Sequence, residues 1–194
     1  MLAPPVAAAQ AMTLLRRLGA EGIAHPGGTL LTHLQRVQTQ LATWKARPAL
    51  QLAGLCHALY GTDGFPTVLL PLDRRADLAA VIGPEAEAVV YLYASCDRKA
   101  TYPVFAQADA VFHDRFTGRA HRVDPQLRRD FAELSAANEL DLARTDPAFR
   151  EQWGPELLAL FNRFHDWLSD DARLDCRTVL AAPTDHPRVR QSPR

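Results

Sequence analysis

The sequence predicts one compact all-α domain over residues 1–180, followed by a flexible C-terminal tail over 181–194. Apolar residues recur at steps of three and four in several segments, which is the spacing of an amphipathic helix. Pro-Gly and Gly-Pro pairs separate these segments. Hydrophobic residues make up 47% of the 194 residues, which is enough to bury one sizeable core. Prolines and arginines dominate the tail and favour fraying there.

Capping residues and breakers define the elements in chain order. Gly19 ends the first helix, Thr29 caps the second, and Asp124-Pro125 starts the longest one. One short β-hairpin is predicted near 112–123, where aromatic residues alternate around a Thr-Gly turn. The predicted helices cover residues 6–18, 29–44, 49–60, 74–82, 85–95, 124–142, 146–153 and 155–168.

Charge and cysteine content limit the function classes. The 22 basic and 22 acidic side chains cancel, which argues against nucleic acid as a partner. The chain has three cysteines, Cys56, Cys96 and Cys176, an odd number without CxxC spacing. This pattern indicates neither a disulfide framework nor a thiolate zinc site, so a reducing cytoplasmic location is expected. No signal peptide is expected, because the N-terminal segment lacks a basic region before its apolar stretch and its two arginines follow that stretch. No membrane partner is expected, because no apolar run approaches the roughly 20 residues that span a bilayer. A homodimer through an exposed helix face is a possible assembly.

Two histidines on consecutive predicted helices carry the candidate chemistry. His33 and His57 can face one crevice between these helices, and imidazoles are common ligands of divalent transition metals. The same spacing is also typical of two buried core histidines with satisfied hydrogen bonds. His25 lies in a Pro-Gly-Gly loop that could fold back toward His33.

The segment LTHLQRVQTQLATWKARPALQLAGLCHALYGTDGF resembles the opening half of an HD domain, with a histidine, a long helix, a turn, a small-residue helix and a second histidine. Within that superfamily it is similar to the HD hydrolase domain of alarmone synthetase-hydrolases. The patterns HPGGTLLTH and GLCHALYGT resemble more closely a group of bacterial domains of unassigned function. The resemblance implies an HD-like helical bundle with a metal site.

The HD motif is incomplete in this sequence. His33 and His57 match the two metal histidines, but Ala58 stands where the paired aspartate should follow. The resemblance puts Asn138 on the closing ligand position, and Asp141, three residues later, lies on nearly the same helical face and could substitute. Gly61 and Thr62 occupy the positions of the acidic pair of an alarmone hydrolase, which argues against that activity.

The sequence therefore leaves two states of the site open. His33, His57 and Asp141, with His25 as a further ligand, could hold Mn, Fe or Zn. A metal-free pocket is equally open, because neutral ligands hold a divalent cation poorly. The predicted catalytic residues are His25, His33 and His57. The predicted substrate-binding residues are Tyr60, Thr62, Asn138 and Arg115, although Tyr60 and Thr62 could equally pack or cap the loop.

Two functions from different classes follow. The first is a divergent HD-like enzyme that acts on a small anionic or phosphorylated metabolite through a histidine-centred, metal-dependent or metal-free pocket. The second is a catalytically inactive HD-like module that binds a small-molecule ligand or regulates a partner. The literal HD dipeptides His113-Asp114 and His165-Asp166 are expected to be structural or superficial, because adjacent helical residues point about 100° apart.

Overall fold

The computed structural model describes residues 4–181, and within that range the chain is mostly α-helical, as predicted. The predicted tail lies outside the described residues from residue 182 onward. The helices are α1 (Pro4–Arg17), α2 (Leu30–Thr43), α3 (Pro48–Cys56), α4 (Arg75–Ile82), α5 (Pro84–Ser95), α6 (Arg98–Thr101), α7 (Pro125–Thr145), α8 (Pro147–Arg163) and α9 (Asp170–Leu180). The strands are β1 (Ala24–His25), β2 (Gly28–Thr29), β3 (Phe112–Asp114) and β4 (Arg119–His121).

Helix α2 begins where the sequence predicts. Thr29 has extended backbone, and its side chain accepts a hydrogen bond from the backbone N–H of Thr32 at 3.3 Å, which satisfies one of the free donors of the first turn. The apolar stripe of α2 is buried against α3 and α7. His33 lies on the same buried side of the helix.

Helix α3 packs closely against α2 through Gly54. A Cβ on this glycine would lie 2.5 Å from Cδ1 of Leu41, so a larger residue would require the Leu41 side chain to shift. The predicted extent of this helix to residue 60 is too long, because α3 ends at Cys56 and tight turns follow. The N–H groups of Leu59 and Gly61 donate to carbonyls three residues earlier, and Gly61 has a φ of 71°. His57 therefore lies immediately after α3.

Helix α7 is the central helix of the described residues. The Asp124 side chain caps it by accepting from the N–H groups of Gln126 and Leu127. Most of its residues are buried, since it contacts α2, α3, α5, α8 and α9. Asn138 and Asp141 thereby lie next to α2, which carries His33.

Two hairpins and the long helix α8 complete the described fold. The predicted hairpin near 112–123 is formed by β3 and β4, which pair antiparallel, and β1 and β2 form a second hairpin before α2. The two helices predicted over 146–153 and 155–168 form one continuous helix, α8, which has Pro155 inside it and ends at Arg163, before the predicted end at residue 168. Among the described residues, no helix combines the length and the apolarity needed to cross a membrane.

Candidate functional site

Residues from three elements meet in one buried cluster. His33 on α2 and His57 after α3 are 1% and 2% exposed, and their ring centroids are 5.3 Å apart. Asn138 on α7 lies between them, with its Oδ1 at 3.2 Å from Nε2 of His33 and 3.1 Å from Nε2 of His57. Both imidazoles thus direct the same ring nitrogen toward a single amide oxygen.

The opposite nitrogen of each imidazole has a partner that can only accept. Nδ1 of His33 donates to Oδ2 of Asp141 at 2.7 Å, and Nδ1 of His57 donates to the Gly54 carbonyl at 2.8 Å. These acceptors assign the proton to Nδ1 in both rings. In its neutral form, each ring then directs the lone pair of Nε2 toward Asn138.

Arg36 ties Asp141 to the hairpin before α2. It donates to both carboxylate oxygens, at 2.6 and 2.9 Å, and to the carbonyls of Pro26 and Gly27. Burial alone would raise the pKa of Asp141, but the hydrogen bonds from His33 and Arg36 lower it below its ordinary value. Asp141 therefore lies as a carboxylate behind His33, on the side away from Asn138.

The side-chain amide of Asn138 is held on its other side by a charged pair. Its Nδ2 donates to Oε1 of Glu139 at 3.2 Å, and Nη1 of Arg98 donates to the same oxygen at 3.0 Å. Nη2 of Arg98 also donates to the hydroxyl of Tyr93 at 2.9 Å. The Tyr93 ring packs edge-on against His57, so this network returns to the histidine pair.

His25 covers the cluster from the hairpin. Its ring stacks on His33 with centroids 4.1 Å apart and an interplanar angle of 26°, so the loop does fold back toward His33. The three histidines, Asn138 and Arg98 line one cavity of about 370 Å³, together with Thr62 and Phe65 from the loop after α3. The site is therefore a partly open pocket with the two buried histidines in its wall.

Burial keeps two of the histidines neutral. Desolvation, followed by the nearby His33, lowers the pKa of His57 to about 3. The same two causes lower the pKa of His25 to about 4. At neutral pH, Nε2 of His57 therefore carries a lone pair, and it faces the lone pairs of the Asn138 oxygen.

The site offers three donor atoms to a divalent transition-metal cation, although none of the three donor groups is a carboxylate. Three atoms that can donate electron pairs, Nε2 of His33, Nε2 of His57 and Oδ1 of Asn138, converge, and each imidazole has a supporting acceptor on its far side. No group of three or more His, Cys, Asp or Glu side chains within residues 4–181 is arranged to hold a metal ion. The candidate ligands are thus two imidazoles and one amide. Asp141 contacts Nδ1 of His33, on the side away from these donor atoms, so its role as a metal ligand stays a prediction from the sequence.

Two predicted substrate-binding residues lie away from the cavity. The Tyr60 hydroxyl donates to Glu87, and the Tyr60 side chain is 1% exposed. Arg115 donates to the carbonyls of Ala94 and Gly61 and stacks on Phe116. Both side chains are therefore occupied by structural contacts, whereas Thr62 and Asn138 do line the cavity.

The literal HD dipeptides also lie outside the cavity. His113 and Asp114 are in strand β3, where Asp114 accepts from the Tyr91 hydroxyl. His165 and Asp166 are exposed, after the end of α8. Neither dipeptide contributes to the histidine cluster.

Three charged residues of the site were not predicted from the sequence. Arg36 could have been found, because it follows His33 by three residues and lies on the same side of α2. Glu139 is adjacent to Asn138, but adjacent helical residues ordinarily diverge. Arg98 lies 41 positions before Glu139 and carries no local signal that predicts their contact.

A family model described as a domain of unknown function (DUF6817) matches residues 14–98. The match includes His25, His33 and His57 and ends before α7, so Asn138 and Asp141 lie outside it. No curated protein and no solved structure matches the chain. The resemblance to HD domains stays a prediction from the sequence motifs.

Proposed function

We propose that this chain is a divergent HD-like enzyme that acts on a small anionic or phosphorylated metabolite in the histidine pocket. In this proposal His33, His57 and Asn138 hold a divalent cation. The observation that carries the proposal is the convergence of two imidazole nitrogens on one amide oxygen. Nε2 of His33 and Nε2 of His57 lie 3.2 and 3.1 Å from Oδ1 of Asn138. An acceptor that faces other acceptors in a buried site is unfavourable, and a cation between them removes the conflict.

The proposal assigns a role to the cation, to His25 and to Arg98. The bound cation would polarise the substrate or activate a water. His25 is neutral at neutral pH, because its pKa is lowered to about 4, and its ring lines the cavity while it stacks on His33. It is therefore the candidate general base at the cavity wall. Among the described residues, Arg98 is the one arginine or lysine that lines this cavity, so it is the candidate contact for a substrate anion.

Metal titration tests the cation site. Untagged protein is treated with chelator and titrated with Mn²⁺, Fe²⁺ and Zn²⁺ by calorimetry and thermal shift. We expect one cation per chain in the wild type, and loss of this binding in H33A and H57A. H165A is the matched control, because His165 is exposed and lies outside the cavity. Absence of binding in the wild type, or equal binding in all variants, would reject the site.

Turnover is tested on the same preparations. Release of phosphate from a panel of phosphorylated metabolites should require the cation and should be lost in H57A but not in H165A. Ligand binding without turnover would instead support the second candidate, a catalytically inactive ligand-binding or regulatory module. Ala58, in place of a carboxylate, is the observation that favours this alternative. A homodimer stays a prediction, which light scattering after size exclusion checks.

A further inference from the structure

The side-chain amide of Asn138 has two orientations that differ by a half-turn. One directs Oδ1 toward the histidines, and the other directs the Nδ2 donors toward them. The neutral His57 imidazole, with its Nε2 lone pair, would by itself favour the second orientation, because an amide N–H group could donate to it. The observed orientation is the first, with Oδ1 at 3.2 and 3.1 Å from the two nitrogens.

Glu139 opposes the preference of His57. Its Oε1 accepts from Nδ2 of Asn138 at 3.2 Å and from Nη1 of Arg98 at 3.0 Å. A carboxylate can only accept, so the opposite amide orientation would direct the amide oxygen against this carboxylate oxygen. Both Asn138 and Glu139 are buried, at 8% and 6% exposure, so water cannot readily screen that conflict.

Arg98 keeps the carboxylate in this buried position. Its guanidinium is shared between Glu139 and the hydroxyl of Tyr93, which packs against His57. The backbone N–H of Arg98 donates in turn to Asp63 in the loop after α3. The Glu139 side chain is therefore held between α6 and α7, next to the amide that it contacts.

From these contacts we infer that Glu139 is a positioning residue. Held by Arg98, it turns Asn138 so that the amide oxygen, and not the amide nitrogen, faces His33 and His57. This orientation gives the cluster three electron-pair donors for a divalent cation. The inference rests on the cation site of the proposed function and assigns Glu139 a role outside the ligand set.

Cobalt binding tests the inference without measuring turnover. Co²⁺ is titrated into chelator-treated protein, followed by calorimetry and by its visible absorption, which reports the donor atoms. E139Q should bind Co²⁺ about 10- to 100-fold more weakly than the wild type and with an altered spectrum, because a glutamine can offer Asn138 either an oxygen or an amide nitrogen. E133Q is the matched control, because Glu133 is also a buried α7 carboxylate but accepts from the Ser169 N–H, away from the site.

A second background separates positioning from a general structural role. In N138D both side-chain oxygens are equivalent, so a half-turn no longer matters, and E139Q should leave the Co²⁺ affinity of N138D unchanged or higher. Equal weakening in both backgrounds, or no weakening in the wild-type background, would overturn the inference while the cation site stands. Absence of Co²⁺ binding in the wild type would overturn the proposed function and this inference with it. If E139Q does not fold, E139D carries the same expectation, because its shorter side chain withdraws the oxygen from Asn138.

Discussion

Replacing Gly54 by alanine should strain the contact between α2 and α3 that brings His33 and His57 together. The added Cβ would lie 2.5 Å from Cδ1 of Leu41, whereas two carbons prefer roughly 3.5–4.0 Å. Leu41 is fully buried, so its side chain has no free space to move into. The next contact, Cγ1 of Val37, lies at an ordinary 3.5 Å. The conflict is therefore confined to one side chain.

The expected size of the effect follows from two opposing terms. Overpacking a well-packed core costs about 1–3 kcal/mol. Alanine is favoured over glycine in a helix interior by about 1 kcal/mol. Gly54→Ala should therefore lower the free energy of unfolding by up to about 2 kcal/mol. It should also weaken cation binding, because the Gly54 carbonyl accepts from Nδ1 of His57. Urea unfolding followed by circular dichroism measures the first effect, and Co²⁺ calorimetry measures the second.

A double-mutant cycle isolates the contact with Leu41. In an L41A background the same Gly54→Ala change should be stabilising by about 1 kcal/mol, because only the helix preference of alanine remains. Gly22→Ala is the control. Its Cβ would meet nothing within 4 Å, and Gly22 has no positive φ, so we expect stabilisation by about 0.4–1 kcal/mol. A coupling energy below about 0.5 kcal/mol between positions 41 and 54 would refute the close packing of these helices.

Three further predictions concern the site. Asp141→Asn removes the carboxylate behind His33 and should weaken Co²⁺ binding about 10- to 100-fold, whereas complete loss in calorimetry would show direct ligation by Asp141. Burial lowers the pKa of His57 to about 3, whereas a histidine in the unfolded chain has a pKa near 6.5. The free energy of unfolding of chelator-treated protein should therefore be unaffected by His57 above pH 6.5 and should decrease as the pH falls from 6.5 toward 3. At pH 5 the loss should be about 2 kcal/mol, and urea unfolding of H57Q should lack this part of the pH dependence. His25→Ala should lower turnover by about 100-fold or more but leave Co²⁺ affinity unchanged, and a parallel loss of both would contradict its role as general base.

Local signals predicted most helices and part of the site. Thr29 caps α2 as expected, because its cap bond to Thr32 lies within one turn. His33 and His57 meet because two consecutive helices with a short turn pack against each other, which needs little long-range information. Pro155 misled the prediction, because a proline lowers helix propensity locally while the packing of α8 on α7 and α9 keeps that helix continuous. Packing between distant segments therefore outweighed the local signal.

The contacts between the charged residues of the site could not be predicted in the same way. The contact between Arg98 and Glu139 joins α6 to α7, and the contact between Arg36 and Asp141 joins α2 to α7. Such pairs depend on the final packing of helices that are distant in sequence. The motif indicated that Ala58 provides no carboxylate and that Asp141 could substitute as a ligand. It gave no indication that carboxylates from α7 lie behind the candidate ligands.

The position of these carboxylates limits how a cation could bind. Asp141 and Glu139 contact the far sides of His33 and Asn138, and each is paired with an arginine. The pairs cancel, so the three candidate ligands present a divalent cation with almost no net negative charge. Charge neutralisation in mixed nitrogen and oxygen sites ordinarily comes from carboxylates. In the proposed enzyme an anionic substrate in the cavity would supply it, so that cation and substrate stabilise each other's binding.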